Sequence, residues 1–439
     1  MKKDTFKTSI FILLIGGFFT KVLSFFIRVF YTRIVGSEGI NLYTIVTPTF
    51  SLFITLASFA LPISISKLVS ENTMRSKKIV FSTFLFILAF NAFLILAVIG
   101  CAPFIAGVLL KQPSVTPLLY AMAFTLPFIS ITSILKGYFL GKLNVAPNTI
   151  SNIFEQFARI LFIFLGLPLL VKKSVLLGVI GYILFNIVTE IISIFTFYLF
   201  LPKKISLEKK DFTLDRHVIS RVLKISIPSV SSRLIGNISF FLEPILLTHF
   251  LLLTGYSSSY ILEEYASYNA YAIGLLTMPS FFIAAICQIL IPEISKYHSQ
   301  KNDDMVKRRL KQALFYSFII GFAFSFFFFF FRDSLLNLIY KTTRGSEYIF
   351  ALAPFFVLFY LEAPLSSALQ ALDQSKKTMQ ITFYGSILKL GSMVFLAFFK
   401  IGLYALVLSE ILNIFFVVFL NTRALKKCLS PLKENFVIG

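Results

Sequence analysis

TSIFILLIGGFFTKVLSFFIRVFYTR, Thr8 to Arg33, is the stretch that decides what kind of protein this is. It is long and apolar enough to cross a hydrocarbon core of roughly 30 Å as a helix, yet it carries Lys21 and Arg28 in its interior. Lys21, Ser24 and Arg28 are spaced three and four residues apart, so a helix places them on one face with Thr20 beside them. Met1–Lys7 in front is basic, as in a signal peptide. The apolar part is too long for one, is interrupted by charge, and is followed by no small-residue cleavage site. It is therefore predicted to stay as the first membrane helix.

The rest of the chain repeats the theme. Hydrophobic residues make up 57% and charged residues 14%, with a mean hydropathy of +0.86, which excludes a soluble globular enzyme. The apolar runs predict an all-α polytopic membrane protein with spans at roughly 9–33, 43–69, 79–109, 116–139, 147–170, 175–200, 222–253, 267–291, 312–331, 348–371, 379–399 and 401–420. The third and seventh spans are long, and Pro103, Pro228 and Pro244 are their expected break points.

A formal net charge of +21 would suit nucleic acid if the charge were clustered, but it is dealt out between loops. One set of loops holds Lys2, Lys3, Lys7, Arg75, Lys77, Lys78, Lys136, Lys142, the basic residues from Lys203 to Lys224 and from Lys296 to Lys311, Lys376, Lys377 and those after Leu420. The alternate set holds only Arg33, Lys111, Lys172, Lys173, Arg332, Lys341, Arg344 and Lys400. The asymmetry predicts a multi-pass cell-membrane protein with both termini cytoplasmic and no nucleic-acid partner. A polar cytoplasmic segment at 202–221 separates a six-helix lobe at 1–201 from a second at 222–439. Ile65-Ser66-Lys67 and Ile294-Ser295-Lys296 recur in the two halves, and Arg159 and Lys389 fall at matching places. An even number of spans per half makes this a parallel repeat about a pseudo-two-fold axis along the membrane normal.

Charges within the spans carry the functional signal. Lys21, Arg28, Arg159, Arg233 and Lys389 are the basic ones, with Lys67 near a helix end, and Glu155, Glu190, Glu243, Glu362 and Glu410 the acidic ones. Each costs roughly 2.5–3.5 kcal/mol at mid-bilayer, so they must face one another or a wet cavity. Glu155 and Arg159 sit one turn apart and either neutralise each other or leave Arg159 open to a competing anion. Asn186 with Glu190, and Arg233 with Asn237, repeat the spacing. Glu243 precedes Pro244, Glu362 is followed by Pro364, and Glu410 shares a face with Asn413. These acids either pair with Arg233 and Lys389 or couple to transport. The first half is the richer in cations, and Arg and Lys are good phosphate ligands, so the cavity suits an anionic passenger such as a lipid carrying a pyrophosphate. No catalytic set, Gly-rich phosphate loop or metal-ligand spacing is legible, and neither enzyme activity nor a cofactor or metal is expected. Cys101, Cys287 and Cys428 are isolated, as are His217, His249 and His298.

GSEGINLYTIVTPTF (Gly36 to Phe50), LPISISKLVSE (Leu61 to Glu71), LKGYFLGKLNVAP (Leu135 to Pro147), FEQFARI (Phe154 to Ile160), SRLIGNISFFLEPI (Ser232 to Ile245) and APFFVLFYLEAPLSSALQAL (Ala353 to Leu372) follow one another in a familiar order. With them the chain resembles the stage V sporulation protein B-like family of polysaccharide biosynthesis and oligosaccharide flippases. That family lies within the multidrug/oligosaccharidyl-lipid/polysaccharide flippase superfamily (MOP/MATE). The resemblance implies a two-lobed bundle with a cavity opening alternately to each side, moving an undecaprenyl-pyrophosphate-linked precursor such as lipid II to the outer leaflet for peptidoglycan or spore cortex. It implies partners among cell-wall synthesis enzymes. It also implies head-group contact by Lys21 and Arg28, at places comparable to basic residues of lipid II flippases, and by Arg159 and Arg233 within the matched motifs. Lipid II flippases typically have fourteen spans, and the final pair, which helps form a lipid-tail groove, is absent here. Two alternatives stand beside this reading: a cation-coupled drug or metabolite antiporter using Glu155, Glu190 or Glu243, and a non-transporting scaffold of a cell-wall synthesis complex.

Overall fold

Apolar runs of this length can satisfy their backbone amides in lipid only by coiling into helices or closing a barrel, and this chain coils. The computed structural model describes residues 3–71, 75–142, 144–201 and 214–429. Its helices are α1 (Lys3–Ser58), α2 (Leu61–Ser70), α3 (Ser76–Phe104), α4 (Thr116–Gly141), α5 (Ala146–Leu165), α6 (Leu167–Lys173), α7 (Val175–Leu199) and α8 (Arg216–Leu253). They continue with α9 (Ser258–Ala266), α10 (Gly274–Leu276), α11 (Ser280–Ser299), α12 (Asp303–Tyr340), α13 (Ser346–Ala371), α14 (Ser375–Ala397) and α15 (Tyr404–Leu429). Most of the connecting segment read at 202–221 lies outside the described residues.

Among the described residues ten helices are long and apolar enough to cross a membrane, or eleven when α5 and α6, bent by 41°, count as one span. The chain is an all-helical, multi-pass membrane protein. The twelve expected spans differ from this count mainly at the start. Gly16–Ser70 is 55 residues long, about 80 Å if it were one straight helix, far more than a bilayer core needs. The backbone of Gly36 breaks it, with φ 68° and ψ −170°, a conformation that glycine adopts without a Cβ penalty. The eighth expected span also begins differently, because a π-helix occupies Ser267–Ile273 and, after the three residues of α10, a long regular helix starts only at Ser280.

Two of the three expected proline breaks are absent. Helix α8 runs for 38 residues through Pro228 and Pro244, because a proline removes one amide bond and a long, otherwise well-bonded helix absorbs that loss. Pro103 sits one residue before the end of α3, where a π-helical turn over Ile105–Leu109 takes over.

The chain divides into two compact units, Met1–Pro244 and Ile245–Gly439, with the boundary inside α8. In the first unit α2, α3, α4 and the start of α8 bury Leu61, Ile65, Leu68, Ile79, Ile134, Val218 and Val222 together. Helix α4 lies close on α2 because Gly137 and Gly141 present no side chain there. A Cβ on Gly141 would stand 2.7 Å from both the Ser66 carbonyl oxygen and Val69 Cβ, and one on Gly137 would stand 2.9 Å from Ile65 Cβ. Glycines four apart at a membrane-helix contact allow such backbone approach. Gly141→Val is therefore expected to force α4 off α2 and lower the thermal midpoint in detergent. An unchanged midpoint would show that the contact yields cheaply. Helix α8 starts at a cap: Asp215 Oδ1 accepts from the amides of His217 at 2.8 Å and Val218 at 3.4 Å, and Oδ2 pairs with Lys78 Nζ at 2.5 Å. The Lys78 contact, helped by those amides, holds the Asp215 carboxyl below the usual carboxylate range.

In the second unit α11, α12, α13 and α15 share a core of Leu290, Ile294, Val306, Leu310, Leu369 and Leu425, among others. Its outer faces carry exposed Phe in quantity, including Phe318, Phe322, Phe326 and Phe330 along α12, as a lipid-facing surface requires.

Candidate functional site

Helix α5 places Glu155 and Arg159 on successive turns of one face, and both reach α7 but take different partners. Glu155 is buried at 9% exposure. Its Oε1 accepts from the Ser193 hydroxyl on α7 and, at 3.5 Å, from the Ser151 hydroxyl, and it faces Lys136 Nζ on α4 at 3.5 Å. The neutralising pair between Glu155 and Arg159 allowed by their spacing does not form, because Lys136 takes the carboxylate. Lys136, grouped above with the loop residues, lies inside α4 with its side chain 28% exposed.

Arg159 is consequently held by neutral partners. Its Nη1 donates to Asn186 Oδ1 at 3.1 Å and its Nη2 to Thr189 Oγ1 at 3.4 Å, both on α7. Its guanidinium carbon stands 5.8 Å from the centroid of the Tyr182 ring, within cation–π range. No carboxylate forms an ion pair with Arg159 among the described residues. Tyr182 stacks on Tyr31 of α1, centroid to centroid at 4.0 Å, and Tyr43 packs edge-on to both at 5.7 and 5.3 Å. Tyr43 in turn lies within electrostatic reach of both Arg159 and Arg28. The polar face of α1 is tied to α5 by Ser24 Oγ donating to Gln156 Oε1 at 3.2 Å.

Glu190 on α7 completes the group. It feels the charges of Lys136, Glu155 and Arg159, and its Oε2 is buried without a hydrogen bond among the described residues. Lys136, Glu155, Arg159 and Glu190 thus form a quartet of balanced charge on α4, α5 and α7. Arg159 is the member whose direct partners are all neutral.

The remaining candidates lie apart from the quartet. Lys21 is exposed on α1 and Arg28 is half-buried there. Arg233 is exposed on α8, and Glu243 is buried at 2%. Asn237, one turn from Arg233, instead binds α1, accepting from Ser51 Oγ at 2.9 Å and donating to Thr55 Oγ1 at 2.7 Å. In the second unit Lys389 on α14 pairs with Glu410 on α15 at 2.5 Å, and Glu362 on α13 feels both charges. Lys389, which sequence placed opposite Arg159 in the repeat, is therefore neutralised where Arg159 is not. Among the described residues no three His, Cys, Asp or Glu side chains are grouped to hold a metal ion.

Sequence reasoning missed Lys136 as a partner of Glu155, and it missed the tyrosines. The available signal was that Lys136 precedes Gly137 within an apolar run, too far inside α4 to be a loop residue.

Comparison with known proteins places the chain by family and fold. Residues 6–298 match the family model described as "Polysaccharide biosynthesis protein", and residues 238–395 the one described as "MatE". Stage V sporulation protein B of Bacillus subtilis (strain 168) is 30% identical over 440 residues, covering 98% of this chain and 85% of that protein. Sporulation protein YkvU of the same organism is 25% identical over 394 residues, covering 89% and 88%. Among solved structures, the inward-facing form of a multidrug resistance MATE family transporter of the MOP superfamily superposes with a TM-score of 0.79 at 15% identity, covering 95% of this chain and 96% of that one. A MOP superfamily transporter from Pyrococcus furiosus, described as having a binding pocket of reverse polarity, gives 0.66 at 14% identity, covering 98% and 97%. At these identities the structures show a shared MATE-like fold.

Proposed function

This chain belongs to the polysaccharide biosynthesis protein family, and from that premise we propose that it is a flippase for a lipid-linked cell-wall precursor. Its passenger is an undecaprenyl-pyrophosphate carrying a sugar or peptidoglycan head group, delivered to the outer leaflet by alternating access of the two lobes. The observation that carries this reading is Arg159, a cation inside a membrane bundle whose partners are an amide, a hydroxyl and an aromatic ring. Such a guanidinium keeps its charge for an anion, and its planar fork matches phosphate oxygens. Arg28, also within electrostatic reach of Tyr43, supplies a second cation, and Lys21 and Arg233 are assigned to the head group with it. The pyrophosphate sits on these side chains while the polyprenyl tail stays in lipid. Glu155, on which a cation antiporter would draw, is already occupied by Lys136 and Ser193. The sporulation names of the relatives favour a role in spore cortex peptidoglycan alongside cell-wall synthesis enzymes. The loop charges favour cytoplasmic termini.

The test is outward appearance of lipid II in cells depleted of their own flippase, read with a membrane-impermeant probe. The native chain is expected to restore it, and an Arg28→Ala, Arg159→Ala variant that inserts normally is expected to retain less than about a tenth of that rate, as for losing two charge-assisted contacts. Full activity in the variant would overturn the site. Failure of both proteins would move the search to other lipid-linked polymers and then to drug export.

A further inference from the structure

A second polar site lies in the unit Ile245–Gly439, at the C-terminal end of α12. Helix α12 starts at Asp303, just after the short connection from α11, and runs 38 residues to Tyr340, about 57 Å, so its far end opens on the membrane face opposite that connection. There Glu264 of α9, Arg332 and Asp333 of α12, and Arg344, Glu347 and Phe350 around the start of α13 line a cavity of about 580 Å³. None of these residues takes part in the quartet around Arg159.

The walls of this cavity are fixed before any ligand arrives. Arg332 lies over the Phe350 ring at 4.8 Å, donates Nη1 to the Phe329 carbonyl at 2.6 Å and sets Nε 3.8 Å from Asp333 Oδ2. Its Nη2 has no hydrogen-bond partner among the described residues. Asp333 is steadied by the Ser346 hydroxyl at 2.5 Å, Glu264 by the Tyr348 hydroxyl, and Arg344 by Glu263 at 2.9 Å. Gly345, at φ +83°, brings the α13 start so close to α9 that a Cβ there would stand 2.6 Å from the Ser267 carbonyl oxygen. The result is a recess with rigid planar donors and acceptors side by side and an aromatic ring in the wall.

That lining discriminates between ligand classes. A phosphate would meet Arg332 and Arg344 but also Asp333, Glu264 and Glu347, and like charges at such range are costly. A simple cation would meet the two arginines. An uncharged polyhydroxylated ligand uses both kinds of group at once, since each hydroxyl both donates and accepts, and its apolar ring faces suit Phe350. The volume is in the range of small-molecule sites. We propose that this cavity is a saccharide-binding site, taking an uncharged di- or trisaccharide portion of a glycan on the membrane face opposite the α11–α12 connection. The choice of saccharide rests on the flippase reading above, whereas the cavity itself does not.

The experiment is equilibrium binding to the whole protein in lipid nanodiscs, followed by saturation-transfer NMR with chitobiose and maltotriose as probes. Inorganic phosphate and a dialanine peptide serve as comparison ligands. At least one saccharide is expected to bind, with phosphate and the dipeptide silent. Arg332→Gln is expected to weaken saccharide binding about tenfold or more. Glu347→Gln, at an exposed position, is expected to weaken it as well. Equal binding of phosphate or dipeptide, no saccharide binding, or binding indifferent to both cavity variants would each overturn the proposal. Because the readout is binding rather than transport, loss of lipid II flipping with saccharide binding intact would fault the flippase reading alone.

Discussion

Lys136→Ala is expected to destabilise the first unit by about 3 kcal/mol, because it leaves the buried carboxylate of Glu155 without its counter-charge. Removing one partner of a buried ion pair costs roughly 3–5 kcal/mol. The lower end applies because the Lys136 side chain keeps 28% of its exposure, against 12% for Glu155. Two serine hydroxyls would still bond Glu155, but they carry no net charge to offset the carboxylate. The double variant Lys136→Ala, Glu155→Gln removes both charges and should recover most of the loss. Thermal unfolding of the purified protein, followed by loss of helical circular dichroism, reads the effect. A single variant as stable as the native chain would mean that Glu155 finds another cation, and Arg159, one turn away, is the one within reach. In that case transport should fall, because the guanidinium assigned to the passenger would have been diverted.

The division of labour between Lys136 and Arg159 marks where sequence reading stops. That Glu155 and Arg159 share a face follows from their spacing, and that a charged face must turn inward follows from the cost of exposing it to lipid. Both features are local and were legible. Which cation takes the carboxylate depends on how closely α4 approaches α5 and α7, a tertiary matter. The same limit hid Gly137 and Gly141, whose role appears only once α2 lies against them. It also hid Tyr31, Tyr43 and Tyr182, which come from distant segments and read as ordinary apolar positions. The helices themselves were legible because length and hydropathy decide them. The break at Gly36 and the uninterrupted α8 were harder to read. Glycine permits a break without requiring it, and proline weakens a membrane helix without ending it. The pairing of acids with Lys389 was one of two readings open from the sequence, and the contact at 2.5 Å between Lys389 and Glu410 realises it.

Lys389→Ala should cost the second unit more, about 4 kcal/mol. Both members of its pair with Glu410 are well enclosed, with side-chain exposures of 18% and 13%, so little solvent screening reduces the penalty. The loss also uncovers a second problem. Glu362 already lies within electrostatic reach of Glu410, and Lys389 is the cation between them in charge terms. Without it two carboxylates face one another in a bundle where charge repulsion is poorly screened. Lys389→Ala, Glu410→Gln leaves a single carboxylate and should regain part of the stability. Adding Glu362→Gln should regain most of the remainder, so the three substitutions are expected to be non-additive in that order. Equal and additive losses would show that Glu362 is solvated independently and that the second unit contains a simple pair. The comparison with Lys136 is informative in either case. In the first unit the balanced quartet leaves Arg159 without an ion pair among the described residues, whereas in the second Lys389 is spent on holding two acids. An anionic passenger should therefore bind through the first unit, and Lys389→Ala should alter how much folded protein accumulates far more than the transport rate per folded molecule.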